Sequence, residues 1–362
     1  MNSQDIKENK ARIIAAYLPQ FHPIPENDIW WGKGFTEWTN VGKAKQLFKG
    51  HYQPRVPADL GYYDLRIPEI RKAQADMALE SGIEGFCYWH YWFGNGKRIL
   101  DMPFNEVLKS GEPDYPFCLA WANTSWQGYD FGAEKREVLI RQEYPGLKDY
   151  EDHFYEILPA LSDHRYIKVD NKPLVIIFAP HELPNPKEFI NLWQNLAIKN
   201  RLDGIYFVAQ TNHPDRAAQY MAEGYDAVNI IRILHPVEHG RSILTKFKRR
   251  ILNEMMIYEY SKAIKYFTGP EDSLDHIIPT IIPNWDNSPR SGHHGFILHG
   301  STPEIFRKHV DMVLESVENK PSQKKIVYLK SWNEWAEGNY MEPDLKYGRA
   351  YLQCLKECLS KQ

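Results

Sequence analysis

The hydrophobic residues of this 362-residue chain fall into eight short, nearly continuous apolar runs. The runs are rich in Val, Ile, Tyr and Phe, and they span residues 12–18, 85–92, 117–122, 174–179, 205–210, 227–233, 277–285 and 325–332. Apolar residues follow one another within each run instead of alternating with polar ones. This pattern predicts parallel strands that are buried on both faces.

Segments with helical spacing separate most of these runs, the clearest being residues 66–82, 149–163, 187–200 and 303–318. A strand followed by a helix, repeated around eight times, predicts a single-domain α/β fold, the (β/α)8 TIM barrel with long βα loops. We expect residues 1–11 to form a disordered or extended tail and residues 12–362 to form the barrel. A doubly wound sheet is disfavoured because "YLPQFHPIPEN", and no glycine-rich phosphate loop, follows the first run.

Two further segments carry structural expectations. Residues 19–65 form a large insertion between the first strand and its first clear helix, and loops of that length in a compact domain are usually functional. Residues 240–267 are predicted to be helical, and the basic stretch "KFKRR" at 246–250 is interpreted as a solvated helix face in preference to an anion site.

Composition excludes several classes of function. The formal net charge of -3 provides no general electrostatic reason to bind nucleic acid, and no apolar run approaches the 18 residues of a membrane span. The aromatic fraction of 14% is high, and flat aromatic side chains stack well on the apolar C–H faces of sugar rings.

The first ten residues are polar and contain no apolar stretch of the kind that a secretory signal needs. Of the four cysteines, Cys354 and Cys358 lie four residues apart in the predicted last helix, a spacing at which they would not easily bridge. We therefore expect reduced thiols and a cytoplasmic protein. Removal of a signal segment from this sequence would instead imply a periplasmic or secreted one.

In a TIM barrel the residues at the C-terminal ends of the strands share one mouth. Here those ends collect aromatic, amide and histidine side chains, which together are typical of a carbohydrate-binding cleft. The candidate substrate-binding residues are Tyr17, Gln20, His22, Trp38, Tyr88, His90, Trp92, Trp121, Asn123, Trp126, Gln210, Asn212, Trp285, Asp286, Arg290, Trp332, Asn333 and Trp335.

The stretch "SWNEWAEGNY" places Glu334 and Glu337 beside tryptophans directly after the last apolar run. Glycosidic cleavage needs one carboxyl group that keeps its proton and one that is ionised, and burial against indole would raise the pKa of one of them. We therefore predict that Glu334 and Glu337 are catalytic. Their sequence spacing does not fix their separation in space, and Asp286, Glu182 and Glu37 are rival carboxylates.

Other catalytic chemistries have weaker support in the sequence. His293 and His294 are adjacent, but neighbouring histidines point apart in an extended chain, and no HExxH or cysteine-pair spacing accompanies them. A serine nucleophile elbow and a P-loop are both absent. We predict neither a metal nor a cofactor.

Three stretches carry a resemblance to known families. "NEWAEG" (333–338) resembles the N-E-W-x-E-G signature of glycoside hydrolase family 99, the endo-acting α-mannosidases and mannanases. The block from residue 17 to 66 is similar to the related WbsX-like proteins, which are often found among polysaccharide biosynthesis genes and described as glycosyltransferases. "NWDNSPR" (284–290) also resembles that group, and the resemblance covers roughly residues 12–355.

This resemblance implies a (β/α)8 barrel and a role for each carboxylate. Glu334 would act as the base on the sugar's own 2-hydroxyl, and Glu337 as the acid and then the base. The sugar would pass through a 1,2-anhydro intermediate and retain its configuration. The endomannosidases lack the "PQFHPIPEND" block, so mannose specificity does not follow from the resemblance.

The leading hypothesis is therefore a retaining glycoside hydrolase that acts on a polysaccharide or oligosaccharide, with an α-mannoside-like linkage as one option. The first alternative is a glycosyltransferase of O-antigen or capsular polysaccharide biosynthesis. The second is a non-catalytic carbohydrate-binding protein. The sequence leaves open the sugar, the linkage, endo or exo action, hydrolysis or transglycosylation, and the oligomeric state.

Overall fold

The computed structural model describes residues 9–128, 137–239 and 255–360, and these form the predicted barrel. Its parallel strands are β1 Arg12–Tyr17, β2 Ile83–His90, β3 Phe117–Trp121, β4 Lys172–Ile177, β5 Tyr206–Thr211, β6 Ala227–Ile230, β7 in two pieces (Ile277–Ile278 and Thr280–Ile281) and β8 Ile326–Leu329. Neighbouring strands pair in chain order, and β8 pairs with β1, where Arg12 lies opposite Ile326. Each predicted apolar run thus overlaps one barrel strand.

The ring closes through a strand that Pro279 interrupts. The first piece of β7 pairs with β6 and the second piece pairs with β8. Proline has no backbone N–H to donate to a sheet, but its carbonyl accepts a hydrogen bond from the N–H of Tyr328 at 3.0 Å. The strand predicted at 277–285 ends at Ile281, and the residues beyond it belong to a loop.

The buried side chain of Asn229 spans this interruption. Its Nδ2 donates to the carbonyl of Ile278 at 2.9 Å and to Oγ1 of Thr280 at 3.0 Å. Its Oδ1 accepts from Nε2 of Gln210 at 2.8 Å. One amide thus connects β5, β6 and both pieces of β7.

Helices surround the strands and cover their outer faces. The longer ones are Pro68–Glu80, Met102–Ser110, Leu147–Leu161, Pro186–Lys199, Pro303–Val317 and Ala350–Leu359. The shorter ones are Pro25–Trp31, Glu37–Lys43, Ala217–Glu223, His235–His239, Tyr260–Ala263 and Ser288–Ser291. The four predicted helices are confirmed to within two residues at each end. Three of them begin with proline, whose missing N–H is not needed in the first turn.

The prediction of a helix over residues 240–267 is wrong in part. Met256–Glu259 is a strand that pairs in parallel with Phe296–His299, and the helix begins only at Tyr260. Residues 256–259 read "MIYE", and β-branched and aromatic residues of this kind suit a strand once a partner is available. The basic stretch 246–250 lies outside the described residues.

The insertion after β1 packs over the barrel mouth. The ring of Trp38, in this insertion, lies 4.7 Å from that of Phe21 and 5.6 Å from that of Trp335, measured between centroids. Nε1 of Trp38 donates a hydrogen bond to the carbonyl of Tyr63. Glu37, at the start of a short helix in this insertion, is thereby buried at the mouth. All four cysteines are buried and unbridged. No helix in the described ranges is long and apolar enough to cross a membrane.

We predict that Asn229→Ala lowers the free energy of unfolding by about 1–3 kcal/mol, because it removes hydrogen bonds from a site that water does not reach. Urea denaturation measures the change. Asn195→Ala is the matched control, since Asn195 is exposed on the helix Pro186–Lys199. Equal stability of the two variants would contradict this account of barrel closure.

Candidate active site

The two predicted catalytic carboxylates lie on a tight hairpin that follows β8. Asn333–Glu334 pairs in antiparallel orientation with Asn339–Tyr340, and a single 3-10 turn, Trp335–Glu337, joins the two short strands. Gly338 ends this turn with a φ of 59°, and a Cβ there would lie 2.8 Å from Cβ of Asp286. Only glycine fits this position. The turn that it ends brings Glu334 and Glu337 to the same side of the hairpin.

The residues between and beside the two carboxylates fix the hairpin from beneath. Asn333 accepts from the N–H of Leu18 at 2.7 Å and donates to its carbonyl at 3.0 Å. Nε1 of Trp335 donates to Glu342 at 2.6 Å, and its ring stacks on Tyr340 at 3.7 Å. Trp332 is fully buried against Phe86. Trp332, Asn333 and Trp335, predicted to bind substrate, thus contact the protein interior.

Glu334 is buried and in contact with two donors. Nε1 of Trp89 donates to its Oε1 at 2.9 Å, and Nζ of Lys330 donates to its Oε2 at 3.1 Å. Burial alone would raise the pKa of Glu334, but the positive charge of Lys330 and the hydrogen bonds from Glu337 and Trp89 outweigh burial and lower that pKa to about 2. Glu334 is therefore ionised at neutral pH.

Glu337 has the opposite pKa shift. Burial and the negative charge of Glu334 raise the pKa of Glu337 to about 8, although Arg290 and Lys330 act against them. Nη1 of Arg290 donates to its Oε1 at 2.6 Å, and Nζ of Lys330 lies 3.8 Å from its Oε2. Nζ of Lys330 thus lies within 4 Å of both carboxyl groups, which places the two groups close together. This pair provides one protonated and one ionised carboxyl group, as acid–base catalysis requires.

Two of the rival carboxylates support Glu337 from behind. Oε1 of Glu37, which is fully buried, lies 2.9 Å from Nη2 of Arg290, so Arg290 bridges Glu37 and Glu337. Asp286 donates its backbone N–H to the carbonyl of Glu337 at 2.5 Å. The third rival, Glu182, is exposed, and its carboxylate lies near His181.

Glu334 and Glu337 open into a cavity of about 360 Å³ at the C-terminal end of the barrel. Its lining residues are Leu18, Gln20, Trp89, Tyr91, Ala122, Thr124, Trp126, Phe178, Asn287, Arg290, Ser291, Lys330, Glu334 and Glu337. Of the predicted site residues, five line it: Gln20, Trp126, Arg290, Glu334 and Glu337. Four aromatic rings and two carboxyl groups therefore share one cleft.

The other predicted residues are not among those that line this cleft. They are Tyr17, His22, Trp38, Tyr88, His90, Trp92, Trp121, Asn123, Gln210, Asn212, Trp285, Asp286, Trp332, Asn333 and Trp335. The ring of Trp285 lies beside the cleft, with its centroid 5.4 Å from Nζ of Lys330. Asn212 is exposed, and its carbonyl contacts His235.

Most of these residues form the structure that surrounds the cleft. Nε2 of His90 lies 2.8 Å from Nε2 of His153, and burial lowers the pKa of His90 to about 3, so His90 is neutral. The rings of Trp92 and Trp121 pack on His153 at 4.7 and 4.8 Å. Asn123 exchanges two hydrogen bonds with the backbone of Ala179. These contacts connect the loops after β2, β3 and β4.

Nine of the fourteen lining residues were missed by the sequence reasoning, among them Trp89, Tyr91 and Lys330. Trp89 and Tyr91 lie on β2 and the residues just after it. The residues predicted to bind substrate were the ones that alternate with them, namely Tyr88, His90 and Trp92. Successive residues of a strand face opposite sides of the sheet. A prediction that is off by one residue therefore assigns every side chain to the wrong side. For Lys330 a signal existed, because it lies within the apolar run at 325–332, and a lysine is costly to bury without a partner.

The described ranges contain one group of three side chains that could ligate a metal, namely His235, Glu238 and His239. Their ligand atoms lie within 4.8 Å of one another, and neither Glu334 nor Glu337 belongs to the group. His293 and His294 are exposed. The absence of a metal from the reaction stays a prediction.

Comparison with known proteins gives two kinds of similarity. The chain is 34% identical to the uncharacterized protein WxcX from two strains of Xanthomonas campestris pv. campestris. The matches cover 97% of this chain but 50% of each relative, so the chain spans about half the length of these curated relatives.

Among solved structures, a glycoside hydrolase-like protein matches with a TM-score of 0.63 at 16% identity, covering 97% of this chain and 94% of that one. The GH99 endo-alpha-mannosidase from Bacteroides thetaiotaomicron matches with a TM-score of 0.58 at 15% identity, covering 96% of both chains. At these identities the two matches support the fold alone. The family profile described as "Glycosyltransferase WbsX" matches residues 13–355, which shows that the chain belongs to the WbsX family.

Proposed function

We propose that this protein is a retaining glycoside hydrolase that acts on a polysaccharide or oligosaccharide through a 1,2-anhydro sugar. The observation that carries the proposal is the pair of neighbouring carboxyl groups, Glu334 buried and Glu337 partly exposed, at an open cleft lined by aromatic rings. Their pKa values are shifted in opposite directions. An acid and a base with separated pKa values are what acid–base catalysis at neutral pH requires.

The first step uses both groups at once. The carboxylate of Glu334 accepts the proton of the 2-hydroxyl, and the freed 2-oxygen attacks the anomeric carbon. Glu337 gives its proton to the glycosidic oxygen as the bond from that oxygen to the anomeric carbon breaks. The products are a 1,2-anhydro sugar, a free leaving group, a protonated Glu334 and an ionised Glu337.

The second step reverses both proton transfers. Glu337 accepts a proton from water, and the water oxygen attacks the anomeric carbon. The bond between that carbon and the 2-oxygen breaks, and Glu334 returns its proton to the 2-oxygen. Each step inverts the anomeric carbon, so the product retains the configuration, and no bond to the protein forms.

Proximity of the two carboxyl groups supports this route over the common alternatives. Direct nucleophilic retention uses carboxyl groups about 5–5.5 Å apart on opposite sides of the sugar, and inversion uses about 6.5–9.5 Å. Glu334 and Glu337 lie on one hairpin, and Nζ of Lys330 lies 3.1 Å from the first carboxyl group and 3.8 Å from the second. A base that acts on the 2-hydroxyl and an acid that acts on the neighbouring glycosidic oxygen need no such opposed placement.

Two cations set the charges for these roles. Lys330 contacts Glu334 at 3.1 Å and favours its ionised form, which prepares it as the base. Arg290 contacts both Glu337 and Glu37, so the charge of Arg290 is divided between two acids. Burial and the charge of Glu334 keep the pKa of Glu337 raised despite this direct contact with a guanidinium.

Features of the substrate are proposed from the cleft and from the fold neighbours. Trp89, Tyr91, Trp126 and Phe178 provide rings against which sugar C–H faces stack. An α-mannoside-like linkage is proposed because a matching structure is named an endo-alpha-mannosidase. The cytoplasmic location predicted from the sequence belongs to the same proposal.

The second candidate function is glycosyl transfer, which the family description favours. In this cleft it would follow the same two steps, with an acceptor hydroxyl in place of water. Sugar-nucleotide transfer would instead need a site for the nucleotide. A non-catalytic carbohydrate-binding protein would keep the aromatic rings but would need no acid–base pair.

We predict that Glu334→Gln and Glu337→Gln each lower the hydrolysis rate of oligosaccharide α-glycosides by about 10²- to 10⁴-fold. Wild-type activity should fall as pH rises through about 8, because Glu337 then loses the proton that it must donate. On the acid side it should persist until the pH falls to about 2, because Glu334 stays ionised above its own pKa. Released reducing sugar, measured across pH, checks both limbs.

The matched control is Glu182→Gln, which removes an exposed carboxylate and should leave the rate unchanged. A dinitrophenyl glycoside, whose leaving group needs no proton, should still be cleaved in its first step by Glu337→Gln. Full activity of Glu334→Gln and Glu337→Gln on oligosaccharides would contradict the proposal. Turnover that depends on a sugar nucleotide would favour transfer, and binding without turnover would favour the non-catalytic alternative.

We predict that a 2-deoxy glycoside is not cleaved, because it lacks the oxygen that attacks the anomeric carbon. The hydroxylated parent sugar is the control, and proton NMR of the first product formed from it should show the retained anomer. Cleavage of the 2-deoxy compound at a similar rate would contradict the anhydro-sugar route while leaving hydrolysis itself intact.

A further inference from the structure

A second cavity, of about 240 Å³, lies behind the catalytic hairpin between the loops that follow β1, β7 and β8. Its lining includes Tyr52, Arg55, Asn284, Tyr340 and Lys346, and it shares no lining residue with the cleft. Sites for drug-sized ligands measure about 300–1,000 Å³, so a ligand here has the size of a single ring.

Arg55 is the least satisfied polar group of this cavity. It is 7% exposed, and Nη1 makes one long contact, 3.5 Å, with the hydroxyl of Tyr340. The nearest carboxylate oxygen in the described parts of the chain, on Asp286, is 3.9 Å away, and Nε has no partner there. A guanidinium has five N–H donors, and burying them without acceptors is costly. Arg55 therefore offers several donors to an anion in the cavity.

The position of this guanidinium is fixed by aromatic rings. Its Cζ lies 5.1 Å from the ring centroid of Tyr52 and 5.5 Å from that of Tyr340. Lys346 is exposed at the cavity mouth, with Nζ 4.5 Å from the ring of Tyr52 and no carboxylate within 4.0 Å among the residues that the structure describes. Two cations therefore face the same space, one buried and one at the surface.

The carboxylates that line the cavity are already satisfied by donors from the protein. Asp286 accepts from His51 and Gln53, each at 2.8 Å. Asp344 accepts from the Tyr340 hydroxyl at 2.7 Å and from two backbone N–H groups. Glu342 accepts from Tyr63, Gln74 and Trp335. The unmet hydrogen-bonding capacity is thus on the cationic side.

One acceptor adds to this picture. Oδ1 of Asn284 is buried at the cavity wall and has no hydrogen-bond partner in the described ranges. It suits a hydroxyl group of a ligand. The flat fork of arginine matches a carboxylate in a bidentate arrangement.

We propose that this cavity is a second ligand site, which binds a hexuronic acid ring with its carboxylate on Arg55 and a hydroxyl on Asn284. Lys346 attracts the acid at the mouth. The site is separate from the cleft, and its occupancy is measured without turnover, so the inference stands or falls independently of the proposed hydrolysis.

Titration calorimetry with sodium glucuronate tests the proposal, with glucose as the neutral ring and inorganic phosphate as the anion without a ring. We expect saturable binding of glucuronate only, weakened about tenfold or more by Arg55→Gln. Lys346→Gln should weaken it severalfold, and Lys308→Gln, which removes an exposed lysine of the helix Pro303–Val317, should have no effect. Methyl glucuronide distinguishes the two sources of the acid: it binds if the site accepts a residue of a chain and fails if it accepts only the free sugar.

Since Arg55 is buried, Arg55→Gln is first checked for folding by circular dichroism. If it does not fold, Lys346→Gln and Asn284→Ala carry the test. Trp126→Ala, in the cleft, should leave glucuronate affinity unchanged. The proposal is overturned if glucuronate does not bind, if glucose or phosphate binds as tightly, if Lys308→Gln and Lys346→Gln have equal effects, or if Trp126→Ala abolishes binding.

Discussion

The closeness of the carboxyl groups of Glu334 and Glu337, which lie on either side of one lysine, is the constraint on which the site depends. Two neighbouring acids in a largely buried site cannot both be ionised without a large cost, so one keeps its proton. Lys330 decides which one, since it lies 3.1 Å from Glu334 and 3.8 Å from Glu337. With Glu37 and Arg290 included, the buried charges balance when Glu334 is ionised and Glu337 is neutral. The asymmetry between acid and base is therefore built into the ligand-free protein.

The barrel provides this asymmetry through three separate parts of the chain. The hairpin after β8 carries the two acids, and Asn333 fixes it to the end of β1. The loop after β7 contributes Arg290, and the insertion after β1 contributes Glu37. Trp89 on β2 completes the contacts of Glu334. Loops thus supply the charges, and the closed ring of strands fixes their positions.

The fold could be predicted from two patterns in the sequence. Buried parallel strands appear as continuous apolar runs, and helices appear as apolar residues repeated every three or four positions. The acid pair could be predicted because two carboxylates beside tryptophans are unusual after an apolar strand. The positions of Trp89 and Tyr91 could not be predicted, because in a stretch of successive aromatic residues the sequence does not show which alternate residues face the barrel mouth. The role of Glu37 was also hidden, because the path of a 47-residue insertion, residues 19–65, is set by packing and not by local pattern. Residues such as His90 and Trp121 share the composition of a sugar site while they pack between loops.

The protonation states of the two acids test the central claim most directly. Infrared spectra distinguish protonated from ionised carboxyl groups. Two difference spectra at pH 7 are needed: wild type minus Glu337→Gln, and wild type minus Glu334→Gln. The account predicts that the first difference contains the band of a protonated carboxyl group and the second the bands of a carboxylate. The reverse assignment, or carboxylate bands in both spectra, would contradict it.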